Sequence, residues 1–139
     1  MTVKDIKAWE EKFGRIPDKA LVVMKTGWCK KFENHAAYLG LDENNGNHFP
    51  GFSGEAALFL LKERSIVGLG IDTASLDIGP SADYPVHETI LGANHYQVEN
   101  MKLADVPEGQ NVTFISLPLK VKDGPESETR VMCVVNEAK

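Results

Sequence analysis

The sequence predicts an α/β fold in which a mixed sheet packs against helices. Helical and strand-like patterns alternate over the first two-thirds of the chain, and the last third contains strand patterns joined by a turn. The chain has 139 residues, of which 42% are hydrophobic and 25% are charged. These values are typical of one globular domain, so we expect a single domain over residues 1–139.

Three helices are predicted from their capping residues. Thr2 precedes the first helix, and Asp5 lies three positions later, as in a capping box. Gly14 is a natural end for that helix. Ser53 caps a second, largely apolar helix, and a short third helix is expected over residues 85–91.

Short runs of apolar and β-branched residues predict five strands. We expect them at residues 20–24, 66–71, 96–98, 111–121 and 129–135. The intervening segment 25–51 has no sustained period, so it is predicted to be a long structured loop with a helical turn near residues 32–38.

Composition and short motifs exclude several classes of function. The net charge is −5, with 15 Lys and Arg against 20 Asp and Glu, which argues against a nucleic-acid-binding surface. No apolar run is long enough to predict a membrane-spanning segment or a secretion signal. Cys29 and Cys133 form no C-x-x-C motif, and reduced thiols in a cytoplasmic protein are expected.

One segment of the chain is a candidate for metal chemistry. The four histidines do not form an H-E-x-x-H motif, and phosphate-binding loops and a G-x-S-x-G motif are absent from the sequence. His87 begins a predicted helix, and Glu99 follows a predicted strand twelve positions later. Imidazole and carboxylate ligands suit Zn²⁺, Mn²⁺ or Fe²⁺. Their spacing alone does not bring the two side chains together. The alternative interpretation is that His87 and Glu99 are ordinary surface residues or have other hydrogen-bond partners.

Several stretches, in this order, resemble one known family. They are Asp5–Phe13, Gly14–Pro17, Leu21–Trp28, His48–Ser53, Gly70–Asp77, Pro85–His87, Val98–Asn100 and Leu117–Lys120. Together they are similar to the cyclase family of metal-dependent hydrolases, to which the bacterial type of kynurenine formamidase belongs. The resemblance covers nearly the whole chain.

The resemblance implies a cyclase-like fold and a divalent metal, Zn or Mn, that serves the hydrolysis of amide, formamide or cyclic amide bonds. By the same resemblance, His87 and Glu99 correspond to two metal ligands of the family. The family's His-x-Gly-Thr-His-x-Asp-x-Pro motif, which supplies three more ligands, is absent from this sequence. We therefore expect an N-terminally shortened chain that corresponds to the C-terminal part of the family fold.

Six further residues have a functional and a structural interpretation. Asp72, Ser75 and Asp77 follow a predicted buried strand, where they support the metal ligands or simply cap the loop. A second group lies in or beside the long loop and either lines a pocket for an aromatic substrate or anchors the loop; it consists of Trp28, His48 and Phe49.

Three functions remain open at the level of sequence. The chain is an enzyme acting on a small-molecule amide, a non-catalytic homologue that serves in binding or assembly, or half of a site completed by another chain. Removing the family's N-terminal strands would leave a sheet edge or an apolar face uncovered. We therefore expect a homo-oligomer or contact with a chain that supplies the missing segment, and no nucleic-acid or membrane partner.

Overall fold

The computed structural model of the protein describes residues 1–109 and 112–135. The chain divides into two units, Met1–Ala104 and Asp105–Lys139. The first unit contains a sheet of three parallel strands, which in spatial order are β1 (Leu21–Met24), β2 (Gly68–Ile71) and β3 (Tyr96–Val98).

The central strand of this sheet, β2, positions the candidate site. All four of its residues are buried. Its last residue, Ile71, pairs with Met24 of β1, and Gly70 pairs with Val98 of β3. Since neighbouring parallel strands end at the same edge of a sheet, the segments that follow β2 and β3 emerge side by side.

Four helices belong to the first unit. They are α1 (Val3–Phe13), α2 (His35–Leu39), α3 (Gly54–Arg64) and α4 (Pro85–Gly92). The predicted capping box of α1 is confirmed, because Thr2 Oγ1 accepts the Asp5 N–H at 3.4 Å and Asp5 Oδ2 accepts the Thr2 N–H at 2.8 Å. The predicted cap of α3 is also confirmed, with Ser53 Oγ accepting the Ala56 N–H at 3.1 Å.

The hydrophobic core of the first unit lies around β2, α3 and α4. Its fully buried side chains include Ala56, Ala57, Leu60, Leu69, Ile71, Val86 and Ile90. In α1, Ile6 is buried, whereas the larger Trp9 and Phe13, on the same apolar face by their spacing, are each 40% exposed. Ile6 therefore anchors α1 to the core, and the ion pair between Glu10 of α1 and Arg64 of α3, at 2.7 and 2.8 Å, holds the two helices together.

The segment between β1 and α3 is more structured than the sequence predicts. It contains a 3₁₀ turn, Trp28–Lys31, and then α2, which begins later than the predicted turn. The reason is local, since Asn34 Oδ1 accepts the Ala37 N–H at 3.0 Å and so fixes the start of α2. Gly40 ends the helix at φ +62°, a conformation that glycine adopts without strain.

The end of this segment packs directly on the loop that follows β2. Phe52 forms an isolated parallel bridge with Asp77. A Cβ atom at Gly51 would lie only 2.6 Å from the carbonyl oxygen of Leu76. Glycine is therefore required at this position for the two backbones to approach.

The second unit contains an antiparallel pair of strands, β4 (Val112–Pro118) and β5 (Thr129–Val135). Asn111, predicted as the first residue of β4, lies outside the described residues, and β4 ends at Pro118 rather than at residue 121. In the part of the chain that the structure describes, no helix has the length and apolar character needed to cross a membrane.

The predicted α/β class is confirmed, with both parallel and antiparallel pairing. Within residues 1–109 and 112–135, the two kinds of pairing occur in separate sheets rather than in one mixed sheet. The strand boundaries also shift, and β2 begins at Gly68 instead of Ile66. Ile66 is nonetheless buried. The apolar run therefore predicts which residues are in the core more accurately than which residues form β2.

Candidate metal centre

The candidate site lies where the chain leaves the carboxyl ends of β2 and β3. Residues 72–77 follow β2, Glu99 follows β3, and His87 lies in the first turn of α4. The fold brings His87 and Glu99 together, with 3.4 Å between His87 Nε2 and Glu99 Oε1. Twelve positions of sequence separate these residues, so tertiary structure and not helix periodicity makes them neighbours.

The imidazole of His87 is held by the carboxylate of Asp77. His87 Nδ1 lies 2.7 Å from Asp77 Oδ2, and Asp77 is 2% exposed at its side chain. Asp77 also accepts the backbone N–H groups of Val86 at 2.9 Å and His87 at 3.2 Å. The N-cap residue of α4, Tyr84, makes no side-chain capping bond, so Asp77 caps this helix from within the loop that precedes it.

Glu99 is fixed from the same loop. Its Oε1 accepts the backbone N–H of Leu76 at 2.9 Å. Leu76 is fully buried and directly precedes Asp77, so one short loop orients both members of the His87–Glu99 pair. These hydrogen bonds fix the orientation of both side chains.

The geometry of the pair fits a divalent cation. His87 Nδ1 lies beside Asp77 Oδ2, and in the tautomer that donates Nδ1–H to this carboxylate, Nε2 presents its lone pair to Glu99 Oε1. A lone pair and a carboxylate oxygen repel each other unless a proton or a metal cation lies between them. Nitrogen and oxygen donors of this kind suit Zn²⁺ and Mn²⁺.

The same residues do not by themselves make a complete metal centre. Across residues 1–109 and 112–135, no group of three or more His, Cys, Asp and Glu side chains could hold a metal ion. Asp77 is engaged by three N–H groups, which leaves His87 and Glu99 as the pair of candidate ligands.

Asp72 organises a second network beside the site. It is completely buried, and its Oδ1 accepts the N–H of Thr26 at 2.8 Å and the Thr26 hydroxyl at 2.6 Å. Its Oδ2 accepts the N–H of Cys29 at 3.4 Å. Burial raises the pKa of this carboxyl group, but the hydrogen bonds from Thr26 and Cys29 outweigh burial and lower it below the ordinary value.

Ser75 acts within its own loop. Its hydroxyl accepts the Asp77 N–H at 3.2 Å, and its carbonyl oxygen accepts the Thr73 hydroxyl at 2.8 Å. These are the bonds of a capped turn, and they stiffen the backbone on which Asp77 is placed.

The predicted pocket residues have partners elsewhere in the long segment. Trp28 is half-buried, its Nε1 donates to the carbonyl oxygen of Tyr38, and Lys31 lies over its ring. His48 Nε2 lies 2.9 Å from Asp42 Oδ2, and this hydrogen bond lowers the pKa of Asp42. Phe49 is 7% exposed. These contacts are those of loop anchors, and the role in a substrate pocket stays a prediction.

Two residues in the network were not singled out from sequence. The hydroxyl of Tyr38 donates to Asn100 Oδ1 at 2.7 Å. Desolvation by burial, followed by the charge of Asp72, raises the pKa of Tyr38 to about 12. Asn100 directly follows Glu99 and has φ +56°, which is uncommon for a residue other than glycine. Adjacency to Glu99 was the only sequence signal for Asn100, and Tyr38 had none.

The segments that leave the carboxyl ends of these parallel strands bring a histidine and a carboxylate together, at the edge of the sheet where α/β proteins commonly bind ligands. Comparison with known proteins makes the class specific. The family model Cyclase, described as "Putative cyclase", matches residues 1–78. The chain belongs to this family, as the sequence resemblance predicted.

Individual relatives agree with this assignment. Isatin hydrolase of Roseibium aggregatum is 32% identical over 142 residues, which cover 99% of this chain and 53% of the relative. Kynurenine formamidase of Polaromonas naphthalenivorans is 40% identical over 77 residues, which cover 55% of this chain and 34% of the relative.

A solved structure confirms the cyclase-like fold. Isatin hydrolase A from Ralstonia solanacearum matches with a TM-score of 0.89 and 34% sequence identity, over 96% of this chain and 52% of that chain. The chain thus spans about half the length of the isatin hydrolases that it matches.

Proposed function

We propose that this chain contributes His87 and Glu99 to a divalent-metal centre that hydrolyses an amide bond of a small molecule. The observation that carries the proposal is the distance of 3.4 Å between His87 Nε2 and Glu99 Oε1, with His87 Nδ1 bonded to Asp77. Relatives named isatin hydrolase and kynurenine formamidase support hydrolysis as the type of reaction.

In this proposal three residues of the chain have different roles. His87 presents Nε2 and Glu99 presents a carboxylate oxygen as ligands, while Asp77 fixes the imidazole ring and its tautomer. When bound, a divalent metal supplies Lewis-acid chemistry, which polarises a carbonyl oxygen and makes water more acidic. The substrate class that we propose is a cyclic amide or a formamide, since these are the bonds implied by the names of the relatives.

The ligand count favours a site that is completed from outside these residues. Catalytic zinc sites typically keep three protein ligands, and the described part of this chain offers two. We therefore propose that further ligands come from polypeptide beyond this sequence or from another chain. Assembly with that polypeptide, or as a homo-oligomer, accompanies this proposal, and sedimentation of the purified chain measures it.

Metal content and hydrolysis, measured together, test the proposal. The purified chain is titrated with Mn²⁺ at equilibrium, and it is then assayed for hydrolysis of isatin and N-formylkynurenine with Zn²⁺ or Mn²⁺ present. Because two protein ligands hold a metal weakly, we expect the unaltered chain to bind Mn²⁺ with low but measurable affinity and His87→Ala to bind it more weakly still. His35→Ala is the matched control, because His35 is an exposed histidine in α2.

Three results separate the alternatives. Weak binding that depends on His87, without hydrolysis, supports the incomplete site, and addition of the complementing polypeptide should then restore turnover. Binding that depends on His87, with hydrolysis, supports a complete enzyme. Equal Mn²⁺ binding by the unaltered chain and by His87→Ala contradicts the proposal and favours the non-catalytic homologue.

A further inference from the structure

The backbone has a kink directly after Glu99, at Asn100. β3 ends just before it, and Asn100 then adopts the left-handed conformation with φ +56°. The N–H of Asn100 donates to the Thr73 carbonyl oxygen at 2.9 Å, and the N–H of Met101 returns to β2 by donating to Ile71 at 3.1 Å. Irregularities of this kind at the end of a strand re-aim a side chain beside a functional site.

Tyr38, from a distant part of the sequence, forms a hydrogen bond to the side chain at this kink. The residue lies in α2, is 6% exposed, and donates its hydroxyl to Asn100 Oδ1 at 2.7 Å across 62 positions of sequence. Burial raises the pKa of Tyr38 to about 12, so the hydroxyl remains a donor throughout the neutral range. Trp28 Nε1 donates to the Tyr38 carbonyl oxygen and thereby fixes the backbone of α2.

We propose that Tyr38 is a positioning residue whose hydroxyl holds Asn100 in its left-handed conformation and thereby aims Glu99 at His87. The hydrogen bond restrains the side chain of the residue directly after Glu99. Glu99 in turn accepts the N–H of Leu76, so a shift of the kink reaches the loop that carries Asp77. The consequence for metal binding rests on the proposed function, whereas the positioning of Glu99 does not.

Amide hydrogen exchange in the metal-free chain tests the positioning directly. Two N–H groups report on the kink: that of Asn100, bonded to Thr73, and that of Leu76, bonded to Glu99. In Tyr38→Phe we expect both to exchange about three- to tenfold faster, the effect of losing one typical hydrogen bond. The amides of the core residues Leu60 and Leu69 should keep their rates.

The chain offers a matched control on the strand that precedes Glu99. Tyr96→Phe removes a hydroxyl from a side chain that is 44% exposed, and we expect it to leave all four amides within twofold of the unaltered chain. Unchanged Asn100 and Leu76 rates in Tyr38→Phe would overturn the proposal. So would acceleration of all four amides alike, because Tyr38 would then stabilise the whole unit rather than the kink.

Substitutions at Asn100 test the other partner and keep the proposal falsifiable if Tyr38→Phe does not fold. Asn100→Gly retains access to the left-handed conformation but removes the acceptor, so it should accelerate exchange at Leu76. Asn100→Asp restores an acceptor oxygen for Tyr38 and should return the Leu76 rate to that of the unaltered chain. Equal rates in the two variants would contradict a role for the hydrogen bond.

Mn²⁺ affinity, followed by electron paramagnetic resonance, tests the consequence for the metal. In Tyr38→Phe we expect affinity to fall by about tenfold, as for other residues that orient a ligand indirectly. If the unaltered chain binds no Mn²⁺ while exchange accelerates in Tyr38→Phe, the proposed function fails and the positioning role stands. If affinity is unchanged by Tyr38→Phe, the claim that positioning reaches the metal is overturned.

Discussion

Two aspartate–histidine pairs in this protein have similar geometry and different surroundings. Asp77 and His87 are 2.7 Å apart, with side chains 2% and 31% exposed. Asp42 and His48 are 2.9 Å apart, with side chains 37% and 53% exposed. The distance within a pair therefore does not distinguish a candidate site from an ordinary loop contact.

The remaining partners of each aspartate make the distinction. Asp42 Oδ1 accepts the N–H groups of Asn44 and Gly46, both at 2.8 Å, so its bonds stay within one turn. Asp77 joins its loop to the start of α4, and its partner His87 faces a second carboxylate, that of Glu99, which follows β3. The candidate site depends on hydrogen bonds between separate elements of the fold. These bonds hold the side chains of His87 and Glu99 close enough to share a proton or a cation.

The largest expected effect is a loss of stability when Asp77, the buried aspartate of the two pairs, is replaced by alanine. Asp77→Ala leaves the N–H groups of Val86 and His87 and the imidazole without their acceptor in a buried position. We expect the free energy of unfolding to fall by about 3 kcal/mol, the range for a buried acceptor of several hydrogen bonds. Urea unfolding at pH 7 measures the change.

Asp42→Ala is the matched control for this prediction. Its carboxylate is well exposed, and water can replace it as acceptor for the N–H groups of its turn. The loss of stability should therefore be clearly smaller than for Asp77→Ala. Equal losses would remove the physical distinction between the two pairs.

Local signals in the sequence predicted the helices and the class of fold well. Thr2 with Asp5, and Ser53, act within three residues, so their capping bonds could be inferred without tertiary structure. The separation of the two sheets could not, since strand pairing depends on contacts between distant segments.

The candidate site was predictable only in part. His87 and Glu99 were singled out by residue type and by family resemblance, and the structure brings them together as neighbours. Tyr38 lies 62 positions from Asn100, and no periodicity or motif links residues at that separation. Positioning residues of this kind become visible only when the backbone path is known.

A second prediction separates the effect of burial from the effect of a histidine partner. Asp72 is as buried as Asp77, but its acceptor oxygens are used by Thr26 and Cys29. Asp72→Asn keeps the shape and leaves one acceptor oxygen, so we expect a loss of about 1–2 kcal/mol in the free energy of unfolding at pH 7.

The pH dependence of this loss has a definite sign. Hydrogen bonds lower the pKa of Asp72 in the folded chain below its ordinary value of 3.8, in spite of burial. The stabilisation is therefore fully present above the unfolded pKa and is lost as the pH falls through the lower, folded pKa. Unfolding curves of Asp72→Asn and the unaltered chain should converge below about pH 4; a constant difference at all pH values would contradict this.

The smallest effect is expected at the exposed pair and is best measured as a pKa. The hydrogen bond from His48, followed by those from Gly46 and Asn44, lowers the pKa of Asp42. In His48→Ala the two backbone bonds remain, so the pKa of Asp42 should rise only part of the way to its ordinary value. Carboxyl ¹³C titration by NMR measures this, with His35→Ala as a control that leaves Asp42 unchanged.

The same titration shows whether the two pairs are independent. Asp42 accepts hydrogen bonds from Asn44, Gly46 and His48, all of which lie within its own loop. His48→Ala should therefore leave the amide signals of Val86 and His87, the reporters on Asp77, at their positions in the unaltered chain. Movement of those signals would mean that the exposed pair is coupled to the site through the bridge between Phe52 and Asp77, and the comparison between a local and a tertiary pair would fail.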